Sequence, residues 1–226
     1  MGRTRIKICG VTSPEDAAAA SRYGADAVGI ILHPASPRNV PVGRAREIVA
    51  ALLPFVTPVG VFVDSPVQEV LDTAAELGLR TVQLNGGESP DDVADLAGLA
   101  VIKAIRVTRG GLVAQLDQWR AAVRAGELSN LVGLVMEPGG TKQPGGTGVS
   151  NDWDEVIEAQ RAGAFEGLPA LIAAGGLKPE SVADVVRAVR PWAADVSSGV
   201  EASLGVKSEE RIEAFVRAVR GADQVT

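Results

Sequence analysis

The residues able to do chemistry in this chain cluster where short apolar runs end. Cys9 closes "RIKIC", Arg38 lies in "SPRNV", Asp64 closes "PVGVFVD", and Asn85 sits in "QLNGGE". Arg106 falls near the end of "AVIKAIRV", Glu137 near the end of "LVGLVMEP", and Asp195 in "AADVSSG". Three glycine-rich stretches accompany them: "PGGTG" at 144–148, "AAGGL" at 173–177 and "SSGVE" at 197–201. Glycines let backbone N–H groups approach an anion closely, and a helix start adds a favourable dipole. The stretches therefore point to a phosphate-bearing ligand. Each side chain has two readings. A lone cysteine packs well as a small hydrophobe, or it works. Glu137 is a solvated loop acid or lines a pocket. Arg38 and Asn85 suit turns or contact a ligand. His33 reads as an incidental surface residue.

Which reading holds depends on the elements that carry these residues. Apolar strands alternate with Ala-rich amphipathic helices. Ser13, Pro14 and Asp16 start the first helix and Gly24 stops it. Ser65 and Pro66, with Gln68, repeat the start as a capping box, and Gly78 is the stop. Ser89 and Pro90 open another helix. Further helices are expected near 43–53, 110–125, from about 151, at 179–190 and at 208–220. The strands are "RIKICG", "AVGIIL", "PVGVFVD", "TVQLNG", "AVIKAIRV", "LVGLVMEP", "PALIAAGG" and "AADVSSG". Eight units of about 28 residues each predict an α/β fold, a single (β/α)8 barrel domain over 1–226. The alternative, an open doubly wound sheet, would show about six strands and a GxGxxG turn after the first. Here the first strand ends in "CGVT".

A barrel of this kind places its active site at the C-terminal ends of the strands, where the residues above converge. Strand alternation orients them. If Ile6 and Ile8 meet the helices, Lys7 and Cys9 point into the barrel. Glu137 shares a face with Val135 and Gly133, and Asp195 with Ser197. A charge inside a barrel needs a partner, and strands one and eight are neighbours, so a Lys7–Asp195 contact is expected. Loops after strands seven and eight are the usual phosphate site of this fold.

Bulk properties exclude several functions. The 226 residues are 46% hydrophobic, enough for a large core, and the net charge of −6 carries no basic block suited to nucleic acid. One cysteine makes no internal disulfide, as expected of a cytoplasmic protein. The N-terminal "MGRTRIKICG" lacks the apolar stretch of a signal peptide, and no apolar run suggests a membrane span. A single histidine rules out a histidine-rich metal site and any two-histidine mechanism. A metal-dependent sugar-phosphate epimerase is disfavoured on that ground.

The motifs taken together resemble the phosphoribosylanthranilate isomerase family. The matching pieces are "IKICGVT" at 6–12, "SPRNV" at 36–40, "VGVFVD" at 59–64, "VQLNG" at 82–86, "GGTG" at 145–148 with "DW" at 152–153, "AAGGLKPESV" at 173–182 and "DVSSGVE" at 195–201. They run in the family's order over nearly the whole chain. The resemblance implies an Amadori rearrangement of N-(5-phosphoribosyl)anthranilate in tryptophan biosynthesis, with no metal or organic cofactor. It implies Cys9 as general base, as a thiolate that neighbouring Lys7 favours, and Glu137 as general acid. It assigns Arg38 to the anthranilate moiety, Asp195 to ribose hydroxyls, and Asn85 to the substrate cleft. The backbone at Gly146, Gly175, Gly176, Ser198 and Gly199 would hold the phosphate. The expected partner is a small phosphorylated aminosugar, and the chain would be a monomer or homodimer. Four positions depart from the family's pattern. Glu137 stands for an aspartate, Asn85 for a histidine, Ser208 for the aspartate of "KD", and Asn151 for the phenylalanine of "FDW". Two other readings compete: a phosphosugar-binding barrel without catalysis, and an isomerase of a histidine-pathway aminoaldose. The latter family uses two aspartates, and Cys9 stands where the first would be.

Overall fold

Ser13 starts the first helix as its sequence requires. Its hydroxyl accepts the Asp16 N–H at 3.1 Å, and Pro14 takes the first turn, where its missing N–H costs nothing. Gly24, at φ +94°, ends the helix by donating to Ala20 and Ser21 carbonyls. Ser89 and Asp92 form a full capping box, and Gly78 closes its helix in the left-handed region. The expected Ser65 cap is not made. Pro66 occupies the cap position without a side-chain bond, and Gln68 instead donates to Asp72 along the helix at 2.8 Å.

The computed structural model describes residues 2–139, 148 and 150–224. The strands are β1 (Arg5–Cys9), β2 (Ala27–Ile31), β3 (Thr57–Phe62), β4 (Thr81–Leu84), β5 (Ala100–Val107), β6 (Leu131–Pro138), β7 (Ala170–Ala173) and β8 (Ala193–Val196). The helices between and after them are α1 (Pro14–Tyr23), α2 (Val42–Ala50), α3 (Val67–Leu77), α4 (Pro90–Asp95), α5 (Leu112–Arg124), α6 (Trp153–Arg161), α7 (Val182–Val189) and α8 (Glu209–Asp223). The strands close into a parallel barrel in sequence order, β8 pairing with β1. This is the (β/α)8 architecture. A two-stranded hairpin, β9 (Glu201–Ser203) and β10 (Val206–Lys207), follows β8 after a single 3-10 turn, Ser198–Val200. Strands this short carry no readable alternation, and the sequence reading missed them. Among the described residues no helix is long and apolar enough to cross a membrane.

The core has two parts. Ile6 and Ile8 are fully buried in the large cluster between strands and helices. Their alternation turns Lys7 and Cys9 inward, as expected. Val59, Ile102, Ala104, Val135, Ile172, Ala174 and Ala193 form a second cluster, which strand alternation places inside the barrel. It fills the floor beneath the charged residues.

Gly199 fixes how the turn after β8 packs. A Cβ there would lie 1.9 Å from the Leu177 carbonyl oxygen, a backbone atom that cannot move aside cheaply. Gly199→Ala is expected to cost about 3 kcal/mol, lowering Tm by about 6–12 °C in a chain of this size. A thermal melt checks this, and an unchanged Tm contradicts the packing account.

Candidate active site

Lys7 and Asp195 are register partners on β1 and β8, and their side chains meet at 2.8 Å inside the barrel. Both are almost fully buried, where an isolated ion is expensive and a paired one tolerable. Burial opposes the Lys7 charge, but Asp195 and Cys9 together hold its pKa above the ordinary lysine value. The second Asp195 oxygen, Oδ1, and the Ser197 hydroxyl are buried with no hydrogen-bond partner among the described residues. Both residues line the cleft at the barrel mouth. Unanswered polar atoms at that place call for a polar ligand.

Cys9 lies one pleat above Lys7, facing the same cleft. Gly29 on β2 makes room for it, since a Cβ there would sit 2.6 Å from the sulfur. Lys7 does favour the Cys9 thiolate, but it is not the largest influence on the thiol. Burial pushes the Cys9 thiol above its ordinary pKa; Lys7 pulls it down, but Asp195 pushes it back up. The Lys7 charge is already answered by Asp195. In the free protein Cys9 is therefore a thiol at neutral pH. The thiolate fraction must grow with rising pH past the ordinary thiol pKa, so alkylation by iodoacetamide should still be accelerating at about pH 9. A plateau near pH 7 would contradict this.

Glu137 sits across the mouth on β6. Its register partner Arg106 donates to Oε2 at 2.7 Å, and the Asn85 amide donates to Oε1 at 3.0 Å. Arg106 also donates to the Asn85 carbonyl at 2.9 Å, and Gln83 donates to Asn85 Oδ1 at 2.6 Å. This chain of bonds fixes the Asn85 amide with its NH2 toward Glu137. Asn85 is 4% exposed, so it serves the site rather than a surface turn. Arg38 is also buried, in a bidentate pair with Glu201 at 2.6 and 2.8 Å.

The glycines divide. Gly175 and Gly176, both in the left-handed region, line the cleft with Ser198. A side chain at Gly175 would strike the Pro138 ring at 2.4 Å. Asn151 holds this corner by donating to the Met136 and Ala174 carbonyls, bridging β6 and the end of β7. Gly199 is not on the cleft wall; it packs against Leu177 behind Ser198. Gly146 lies outside the described residues. Asp64 turns away from the cleft and accepts the Gly87 N–H at 2.7 Å, whereas His33 lines the rim. The cleft measures about 340 Å³, at the small end of ligand sites.

Sequence reasoning missed the buried Lys103–Glu88 pair, 2.9 Å apart. Lys103 also donates to the Leu84 and Gly86 carbonyls, and Glu88 accepts the Asp64 and Gly86 N–H groups. The pair ties together the ends of β3, β4 and β5, which carry Asn85 and Arg106. The β5 alternation turns Lys103 away from the barrel interior, and no local signal shows that the β4–α4 loop covers it.

A closed parallel barrel that brings a thiol, a carboxyl group and an arginine to one cleft at its strand ends has the layout of a (β/α)8 enzyme. Residues 6–218 match the model of the family described as N-(5'-phosphoribosyl)anthranilate (PRA) isomerase. The N-(5'-phosphoribosyl)anthranilate isomerase of Azotobacter vinelandii is 42% identical over 223 residues, covering 98% of this chain and 100% of that protein. The crystal structure of the Thermotoga maritima phosphoribosyl anthranilate isomerase superposes with a TM-score of 0.81 at 34% identity, covering 96% of this chain and 99% of that one. A crystal structure of a phosphoribosyl anthranilate isomerase in complex with reduced 1-(o-carboxyphenylamino)-1-deoxyribulose 5-phosphate gives a TM-score of 0.79 at 33% identity, with the same coverage. This chain belongs to the N-(5'-phosphoribosyl)anthranilate isomerase family.

Proposed function

We propose that this chain converts N-(5-phosphoribosyl)anthranilate into 1-(2-carboxyphenylamino)-1-deoxyribulose 5-phosphate in tryptophan biosynthesis, with Cys9 and Glu137 as its acid–base pair. The observation that carries the assignment of roles is the placement of a thiol and a carboxyl group on opposite strands of one cleft. Protonated Glu137 gives its proton to the furanose ring oxygen. The C1–O bond breaks and the nitrogen lone pair forms C1=N⁺. Cys9 then takes the proton from C2, and the C–H electrons form the C1–C2 double bond as the iminium is neutralised. The enolamine gains a proton at C1 while its C2 hydroxyl loses one, leaving the ketone. The iminium charge appears one atom from the proton that Cys9 removes. The resting thiol first gives its proton to solvent and Glu137 takes one up, and the iminium cation then favours the thiolate at the step that needs it.

Glu137 must release one of its donors to present a proton to the ring oxygen. Arg106, with its side chain 30% exposed, is the freer of the two. Arg38 offers its remaining guanidinium edge to the anthranilate carboxylate and ring. The open oxygen of Asp195 accepts from a ribose hydroxyl. The backbone at Gly175, Gly176 and Ser198 holds the phosphate. A cytoplasmic setting suits this role.

The test is to supply freshly made phosphoribosylanthranilate and follow the loss of anthranilate fluorescence. Turnover by the purified protein is the expected result. No turnover, with thermal stabilisation by inorganic phosphate, would instead indicate a binding barrel.

A further inference from the structure

Arg38 is held by a buried cluster that the reaction scheme leaves unused. Its Nε and Nη2 both donate to the Glu201 carboxylate. Lys207 donates to the same carboxylate at 3.0 Å and to the Ser197 carbonyl at 3.1 Å. The side chains of Arg38 and Glu201 are each 6% exposed and that of Lys207 is 0% exposed. Glu201 and Lys207 sit on the two strands of the β9–β10 hairpin. Thr12 in the β1–α1 loop donates to the Gly205 carbonyl at the hairpin's turn, and the Lys207 N–H donates to Asp16. The hairpin is thus pinned to the barrel mouth.

Two basic side chains share one carboxylate here, beside the cleft that Arg38 lines; burial works against the Lys207 charge, and Glu201 supports it. Glu201 takes one edge of the guanidinium and leaves the Nη1 edge without a partner among the described residues. It also separates Arg38 from Lys207, which would otherwise repel each other. Burial works against the Glu201 charge, yet Arg38 and Lys207 keep its carboxyl below the ordinary range.

We propose that Glu201 and Lys207 are positioning residues that fix the plane of Arg38 and make its open edge a selector for a substrate carboxylate. This rests on the reading of Arg38 as the group that meets the anthranilate carboxylate. A bidentate guanidinium–carboxylate pair is directional, so a guanidinium free to rotate loses affinity for the carboxylate specifically.

The experiment compares phosphoribosylanthranilate with the phosphoribosylamine of aniline, which lacks the carboxylate, product being followed by chromatography. Wild type should prefer the anthranilate compound, and Arg38→Met should abolish that preference. Glu201→Gln should raise KM for the anthranilate compound about tenfold, change kcat little, and alter kcat/KM for the aniline compound no more than about twofold. Because Glu201→Gln leaves the buried Lys207 with a weakened partner, it is also measured with Lys207→Met, and the same selective loss is expected. Equal losses for both substrates in the soluble variants overturn the positioning role. If Arg38→Met abolishes the preference while Glu201→Gln keeps it, the Glu201 proposal fails alone. If Arg38→Met keeps the preference, the reading of Arg38 fails and takes the proposal with it.

Discussion

Cys9→Ala is expected to lower kcat by about 10²–10⁴, the range typical of a lost general base. KM should move little, because the thiol contributes almost nothing to holding carboxylate or phosphate. Stability should also move little. Cys9 is 8% exposed at the lip of a cleft, and removing its sulfur leaves a space continuous with that cleft rather than a sealed cavity. Cys9→Ser should fare no better than alanine, since a hydroxyl in the same buried place resists ionisation more strongly than a thiol. Steady-state fluorescence with a parallel thermal melt separates the effects. Full activity in either variant removes Cys9 from the mechanism.

Glu137→Gln is expected to cost a comparable factor of about 10²–10⁴ in kcat, since the amide keeps the shape but carries no transferable proton. The more telling substitution is Glu137→Asp. It installs the residue usual in the family, yet it shortens the side chain by one methylene in a site built around the longer one. Arg106 and Asn85 grip the two carboxylate oxygens at 2.7 and 3.0 Å. A carboxyl group drawn back by about 1 Å loses those contacts and its line to the ring oxygen, a misplacement worth about 10²-fold in rate. Activity equal to or above wild type in Glu137→Asp would show that the surrounding shell is not fitted to glutamate.

The barrel and the inward face of β1 were legible because both follow from local periodicity. Strand alternation turned Lys7 inward, and closure made β8 its neighbour, so the Lys7–Asp195 bond at 2.8 Å was written in the pattern. The protonation of Cys9 was not. A neighbouring lysine is visible in "KIC", but the desolvation that outweighs it belongs to the folded mouth. Asn85 looked like a turn former because Asn-Gly usually is one; its amide is spent on Glu137, 52 positions away in the chain. The Arg38–Glu201 pair spans 163 positions and the Lys103–Glu88 pair lies on the side of β5 away from the barrel interior. Unlike Lys7 and Asp195, these partners do not both lie on neighbouring barrel strands, so strand alternation does not bring them together.

Turnover of substrate deuterated at C2 tests the division of labour between Cys9 and Glu137 most directly. In Cys9→Ser, removal of the C2 proton becomes the slow step, and kcat should show a primary isotope effect well above unity. In Glu137→Gln, ring opening becomes slow before C2 is touched, and the effect should fall to near unity. The reverse pattern, or an isotope effect near unity in Cys9→Ser, would contradict the assignment of Cys9 as the base.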